Sequence, residues 1–279
     1  MGWLRFILSH SIFISFCAVA LCFQTDVILH NSSDIHIYGF VFFATLSSYN
    51  FYWLISKFSF SKERALQVFI KKNFSYLSMF SVAAIGMLYC IYFLPYLYLY
   101  VAIAILLTLL YSLPLWPFKF ASFARKAGFL KTTLLSFTWA YVTVIFPAIP
   151  VLHTDPLLVI TLFAARFFFM LLLCVIFDMR DMAIDKIHAL HSLATDVSHR
   201  NLTIIINIIF LLYAATGIWV RIYFKDNPQV IAFAITGIIV WIVYRFSFKK
   251  QGYFFYYFLV DGLMMVSALA TYIAANFHT

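Results

Sequence analysis

The sequence predicts an all-α polytopic membrane protein with nine transmembrane helices. Three observations predict it. Hydrophobic residues make up 65% of the 279-residue chain and charged residues only 10%, a composition foreign to water-soluble domains. The apolar residues fall into runs that each approach the roughly 20 residues needed to cross the hydrocarbon core. The segments between the runs alternate between basic and nearly uncharged, as cytoplasmic and external loops do.

The runs are Trp3–Phe23, Ile35–Ile55, Phe74–Phe93, Tyr96–Leu113, Thr132–Val151, Pro156–Phe177, Asn201–Phe224, Pro228–Phe248 and Gly252–Asn276. Backbone inside a bilayer must satisfy its own hydrogen bonds, so each run is a helix. The first lacks a small-residue cleavage site and reads as a retained span, not a signal peptide. Only 7 Pro and 8 Gly interrupt the chain, which leaves no room for a soluble domain; residues 1–279 read as a single membrane domain.

The connections set the orientation. Lys57, Lys62, Arg64, Lys71 and Lys72 follow the second run; Lys119, Arg125, Lys126 and Lys131 lie around the fourth connection. Arg180, Lys186 and Arg200 follow the sixth run, and Arg245, Lys249 and Lys250 the eighth. The other connections, 24–34, the Pro95 turn, 153–155 and 225–228, are short and nearly uncharged. The basic set faces the cytoplasm, so the N-terminus is inside and the C-terminus outside. This multi-pass protein is expected in the cytoplasmic (plasma) membrane. Its net charge of +9 answers to anionic lipid beside those loops and not to nucleic acid.

Cys17, Cys22, Cys90 and Cys174 lie inside apolar runs and form no CxxC pair; they read as packing residues. The aromatic run Tyr89–Tyr100 reads as an interfacial belt. Arg166 and Asp261 fall within spans, where charge is costly, and are expected to form an interior ion pair.

The stretch that organises the chain is Phe177-Asp178-Met179-Arg180-Asp181-Met182-Ala183-Ile184-Asp185-Lys186. Asp178, Asp181 and Asp185 are spaced i, i+3, i+7, which on a helix holds them within roughly 60° of one face. They follow the sixth run, where a helix reaches water. Helix carbonyl ends disfavour anions, and like charges at these spacings repel. The cluster asks for a cation: Arg180 and Lys186 neutralise it, or a Mg²⁺ does, since oxygen-only ligands suit Mg²⁺ shared with a substrate phosphate.

Nine spans with Asp-x-x-Asp-x-x-x-Asp after the sixth resemble the UbiA superfamily of intramembrane aromatic prenyltransferases. Asp178 to Lys186 is similar to that family's second aspartate motif, internal Arg included. His191-Ser192-Leu193-Ala194-Thr195 resembles its segment before the seventh helix. Tyr111-Ser112-Leu113-Pro114-Leu115 resembles its Tyr-Ser-x-Pro loop, and Lys131 stands near its basic residue opening the fifth helix. The family's first motif, Asn-Asp-x-x-Asp-x-x-x-Asp, is degenerate here. Asn50 matches, but Phe51, Leu54 and Phe58 hold the aspartate positions, and Glu63 has the wrong spacing.

The resemblance implies a helical bundle around a central cavity and a Mg²⁺-dependent transfer of an isoprenyl group from an isoprenoid diphosphate to an acceptor, hydrophobic or aromatic, such as a quinone precursor. Asp178, Asp181 and Asp185 would hold Mg²⁺ and serve catalysis. Asn50, Lys57, Tyr111, Lys131, Arg180 and Lys186 would contact the substrate. Tyr111 reads equally as an interfacial tyrosine. His188 and His191 follow as solvated loop residues or as an extension of the site. The missing first motif leaves activity open. A UbiA-type terpene cyclase, a non-catalytic isoprenoid-diphosphate-binding homologue and an ion-coupled transporter remain alternatives, the last without the paired broken helices such proteins show.

Overall fold

The computed structural model describes residues 2–60, 66–112, 128–187, 193–223 and 227–276; the side chains of 59–60, 66–67, 128, 183–187, 193–194, 199 and 227 are not described. Glu63, Leu113 to Leu115, His188 and His191 therefore lie outside the described residues, as do the side chains of Asp185 and Lys186.

The described residues form helices and short connections. In order they are α1 (Gly2–Ser9), α2 (Ile12–Leu29), α3 (Ile35–Phe60), α4 (Leu66–Lys72), α5 (Phe74–Tyr92), α6 (Tyr98–Ser112), α7 (Gly128–Ala140), α8 (Phe146–Leu152), α9 (Pro156–Ile187), α10 (Leu193–Asp196), α11 (His199–Tyr223), α12 (Asn227–Ser247) and α13 (Asp261–Asn276). Eight segments are long and apolar enough to cross a membrane: Ile12–Leu29, Phe74–Tyr92, Pro95–Ser112, Phe129–Leu152, Pro156–Met182, Arg200–Tyr223, Pro228–Ser247 and Phe255–Asn276. The all-α membrane class holds. The ninth expected span is α3, which at 26 residues has the length but is diluted by His36, Ser47, Ser48, Asn50 and Ser56.

The first span also needs correcting. Trp3–Phe23 is two helices, because the backbone leaves the helical region at Ser11 (φ 64°). Polar side chains supply the reason: the Ser9 hydroxyl and the His10 ring both reach back to the Phe6 carbonyl at 3.1 Å, competing with the helix ladder.

The helices form most of a ring, with α5 and α6 joined through the Pro95–Leu97 turn. α2 packs on α3 and on α13, α3 on α5, α6 on α7, α7 on α9, α9 on α11, α11 on α12, and α12 on α13. Buried polar ties hold the seam. Gln24 of α2 donates to Ser267 Oγ (2.9 Å) and Thr271 Oγ1 (2.8 Å) of α13, and Gln229 of α12 donates to the Thr271 carbonyl at 2.7 Å. All four cysteines are free and buried.

Between α7 and α8 the helix widens to a π stretch, Tyr141–Ile145. Pro147 has no N–H to give the Thr143 carbonyl, and that carbonyl instead accepts the Thr25 hydroxyl of α2 at 2.8 Å. A second π stretch, Phe255–Val260, precedes α13.

The expected Arg166–Asp261 pair does not form. Arg166 lies 3.5 Å from the Thr25 hydroxyl, while Asp261 lines a cavity that Arg166 does not reach.

Candidate active site

α9 carries the acidic stretch because nothing ends it there. No Gly or Pro lies between Pro156 and Ile187, so the helix runs 32 residues and takes Asp178, Asp181 and the backbone of Asp185 with it. The aspartates sit on this helical extension and not in a loop, which gives their i, i+3 spacing a common face.

That face looks into a cavity of about 750 Å³ lined by Asp178, Arg180, Asp181, Lys131, Thr132 and Tyr111 together with residues of α1, α2, α3, α5 and the last span. Asp178 Oδ2 accepts the Thr132 hydroxyl at 2.6 Å. Asp181 is clasped by its neighbour: Arg180 Nε and Nη2 donate to its two oxygens at 2.6 and 2.7 Å. The Arg180 guanidinium in turn lies over the rings of Tyr257, Phe177 and Tyr256, at 4.8, 4.9 and 5.2 Å. Lys131 adds a further cation to the wall.

Aromatic side chains build much of the rest, among them Tyr49, Tyr52, Trp53, Tyr76, Trp139 and Tyr253. Tyr111 is 7% exposed and faces Tyr52 at 5.9 Å between ring centres, so it is a wall residue and not a surface tyrosine. A second, apolar chamber of about 250 Å³ shares Tyr49, Tyr111, Leu135 and Trp139 with the first. Trp139 donates to the Tyr49 hydroxyl at 3.3 Å across this partition.

Two expected substrate residues are placed apart. Asn50 is fully buried and spends its amide on the carbonyls of His10 and Leu46, at 3.0 and 2.8 Å. Lys57 sits 4.0 Å over the Tyr76 ring and donates to Asn73 Oδ1 at 3.2 Å; it is behind the wall, whose Trp53 and Tyr76 it braces. The positions where the family pattern carries aspartate are apolar contacts. Phe51 stacks on Phe80 at 5.6 Å and Phe58 meets Phe69 edge-on at 5.5 Å.

The residues on the wall fit a Mg²⁺ ion in kind. Asp178 and Asp181 offer oxygen donors only, and Mg²⁺ commonly takes one or two carboxylates, several waters and substrate phosphate oxygens. Among the described residues no three His, Cys, Asp or Glu side chains gather as a metal cluster.

Sequence reasoning missed Thr132, Tyr256 and Tyr257. Thr132 carries no signal of its own. Tyr256 and Tyr257 belong to the π stretch, and π turns frequently mark functional positions, but nothing in the residue pattern announces one there.

No protein-family model matches the chain, and no curated protein matches it in sequence. Solved structures do match in fold. A UbiA homologue from Aeropyrum pernix K1, in its apo form, aligns with a TM-score of 0.65 at 12% identity, covering 95% of this chain and 98% of that one. Digeranylgeranylglyceryl phosphate synthase aligns with a TM-score of 0.62 at 14% identity, covering 99% of each chain. Over nearly its whole length this chain therefore has the fold of UbiA-superfamily membrane proteins.

Proposed function

We propose that the protein is an intramembrane prenyltransferase that moves an isoprenyl group from an isoprenoid diphosphate to a hydrophobic or aromatic acceptor. The observation that carries this reading is one cavity with carboxylates and cations at one end, aromatic faces along its walls and an apolar chamber beside it. A diphosphate head suits the first part, an isoprenoid tail the last. The matched synthase, named for a digeranylgeranyl product, supports the same substrate class.

Asp178 and Asp181, with Asp185 on the same helix, would hold Mg²⁺, which when bound supplies Lewis-acid stabilisation of the departing diphosphate charge. Lys131 and Arg180 take up the remaining phosphate charge, with Lys186 next in line on α9. Thr132 orients Asp178. The rings of Tyr49, Tyr52, Tyr111 and Trp139 exclude water and turn their electron-rich faces toward the allylic carbon as its bond to oxygen breaks. In the degenerate first motif Phe51, Leu54 and Phe58 stand where carboxylates would, Lys57 braces the wall residues Trp53 and Tyr76, and Asn50 fixes α3 to the end of α1. We also propose that α3 is a ninth span, since it packs between α2 and α5, and that the acidic end faces the cytoplasm.

The test uses purified protein, prenyl diphosphates of stepped chain length, and Mg²⁺ or EDTA. Mg²⁺-dependent diphosphate release that requires an added acceptor supports transfer. Release without any acceptor supports a cyclase, and binding without release supports a non-catalytic binder. Asp181→Ala is expected to abolish Mg²⁺-dependent diphosphate binding; unchanged affinity would overturn the metal assignment.

A further inference from the structure

Asp261 begins α13, directly after the π stretch, and lines the cavity wall together with Tyr256, Tyr257 and Met264. It is 4% exposed. Asp178 and Asp181 of α9 have donors, Thr132 for the first and Arg180 for the second. The Asp261 carboxylate accepts no hydrogen bond from any described residue. Arg180 is the cation within electrostatic reach, but it is held by Asp181 and by three aromatic rings and makes no ion pair with Asp261.

With no donor from the described fold, the Asp261 carboxyl keeps hydrogen-bonding capacity that opens on the cavity. A group supplied from the cavity can meet it. The field of Arg180 disfavours a cationic group at that point, and the surrounding rings favour a flat, neutral one. The geometry points to Asp261 as the residue that binds the acceptor's hydroxyl and takes its proton. In this step the allylic C–O bond breaks and its electron pair leaves on the diphosphate oxygen. A lone pair of the acceptor oxygen forms the new C–O bond, and the O–H proton passes to the Asp261 carboxylate. The inference deepens the transfer reaction proposed above and rests on it.

The test compares a 4-alkylphenol with its O-methylated 4-alkylanisole, which is similar in shape but cannot donate. Binding to the full-length protein is followed by quenching of the cavity's tyrosine and tryptophan emission. Wild type is expected to bind the phenol at least tenfold more tightly than the anisole. Asp261→Leu should erase that preference and Asp261→Asn should reduce it, while both keep wild-type Mg²⁺-dependent affinity for a non-hydrolysable prenyl diphosphate analogue. In turnover, Asp261→Asn should lower kcat at least tenfold with KM for the diphosphate unchanged. Equal phenol and anisole affinity in wild type, or an undiminished preference in Asp261→Leu, overturns the assignment. Failure of the diphosphate analogue to bind wild type overturns the transferase reading instead, so the two failures are separable; the wild-type phenol comparison decides even if a variant fails to fold.

Discussion

Thr132 shows how little a single position can advertise. In the sequence it is one threonine at the start of an apolar run; in the fold its hydroxyl fixes one oxygen of Asp178 at 2.6 Å. Groups that orient a metal ligand commonly govern affinity by 10–100-fold. Thr132→Val is therefore expected to weaken Mg²⁺-dependent diphosphate binding by about tenfold without unfolding the protein, as titration calorimetry on the purified variant would show. On the opposite, weakly charged set of connections, Asp155 accepts the Tyr223 hydroxyl at 2.5 Å and the Leu158 N–H at 3.1 Å. These bonds, the tyrosine first, hold its carboxyl below the usual aspartate range. A depressed carboxyl stabilises the fold above its unfolded value, about 3.9, and loses that contribution as pH falls through its folded value. The gap in thermal unfolding midpoint between wild type and Tyr223→Phe should be constant near neutrality and close below about pH 4. A gap that persists at low pH would show that the hydroxyl acts through packing. The aspartates themselves were legible from spacing because charge in an apolar chain is conspicuous. Asp261 was legible as an anomaly, but its separation from Arg166 was not, since sequence separation says nothing about which way two buried charges turn.

At the scale of the element, helices were legible and their irregularities were not. Periodicity and length locate an apolar helix, whereas a π turn depends on what lies across from it. The one at Tyr141–Ile145 exists because Pro147 frees a carbonyl and Thr25 on another helix is there to satisfy it. Thr25→Val should cost about 1 kcal/mol, the scale of an interhelical hydrogen bond in a membrane, measurable as a lowered unfolding midpoint in detergent. Close helix approach gives a second case. A methyl at Gly217 of α11 would come within 2.0 Å of the Phe233 ring on α12, and that ring also carries Arg221 at 4.3 Å. Gly217→Ala is expected to destabilise by about 1–3 kcal/mol, and Gly217→Ala with Phe233→Leu to recover much of it. If the single variant is as stable as wild type, the α11–α12 contact is looser than described. The break after α1 was hidden for a related reason: an apolar run with a few polar residues still averages as apolar, yet Ser9 and His10 find local partners that end the helix.

For the whole molecule, composition and loop charge carried the class, and the ring of helices agrees with a bundle around a cavity. What composition could not settle is the number of crossings, because α3 combines sufficient length with too many polar side chains. The native thiols are all buried, so introduced ones can report sidedness. With nine crossings, Asp34→Cys and Lys71→Cys should react with an impermeant maleimide from opposite faces of the membrane, and Lys250→Cys from the same face as Lys71→Cys. Reaction of the first two from one face would leave eight crossings and reverse the topology downstream of α3. The seam between α2 and α13, tied through Gln24, Ser267 and Thr271, has a bearing on biogenesis. The aspartates of α9 are synthesised well before the segment that supplies Tyr253, Tyr256, Tyr257 and Asp261. A nascent chain halted before that segment would own every acidic residue of its motif yet lack one wall of the cavity around them, so that cavity is complete only when the final helix docks against the second.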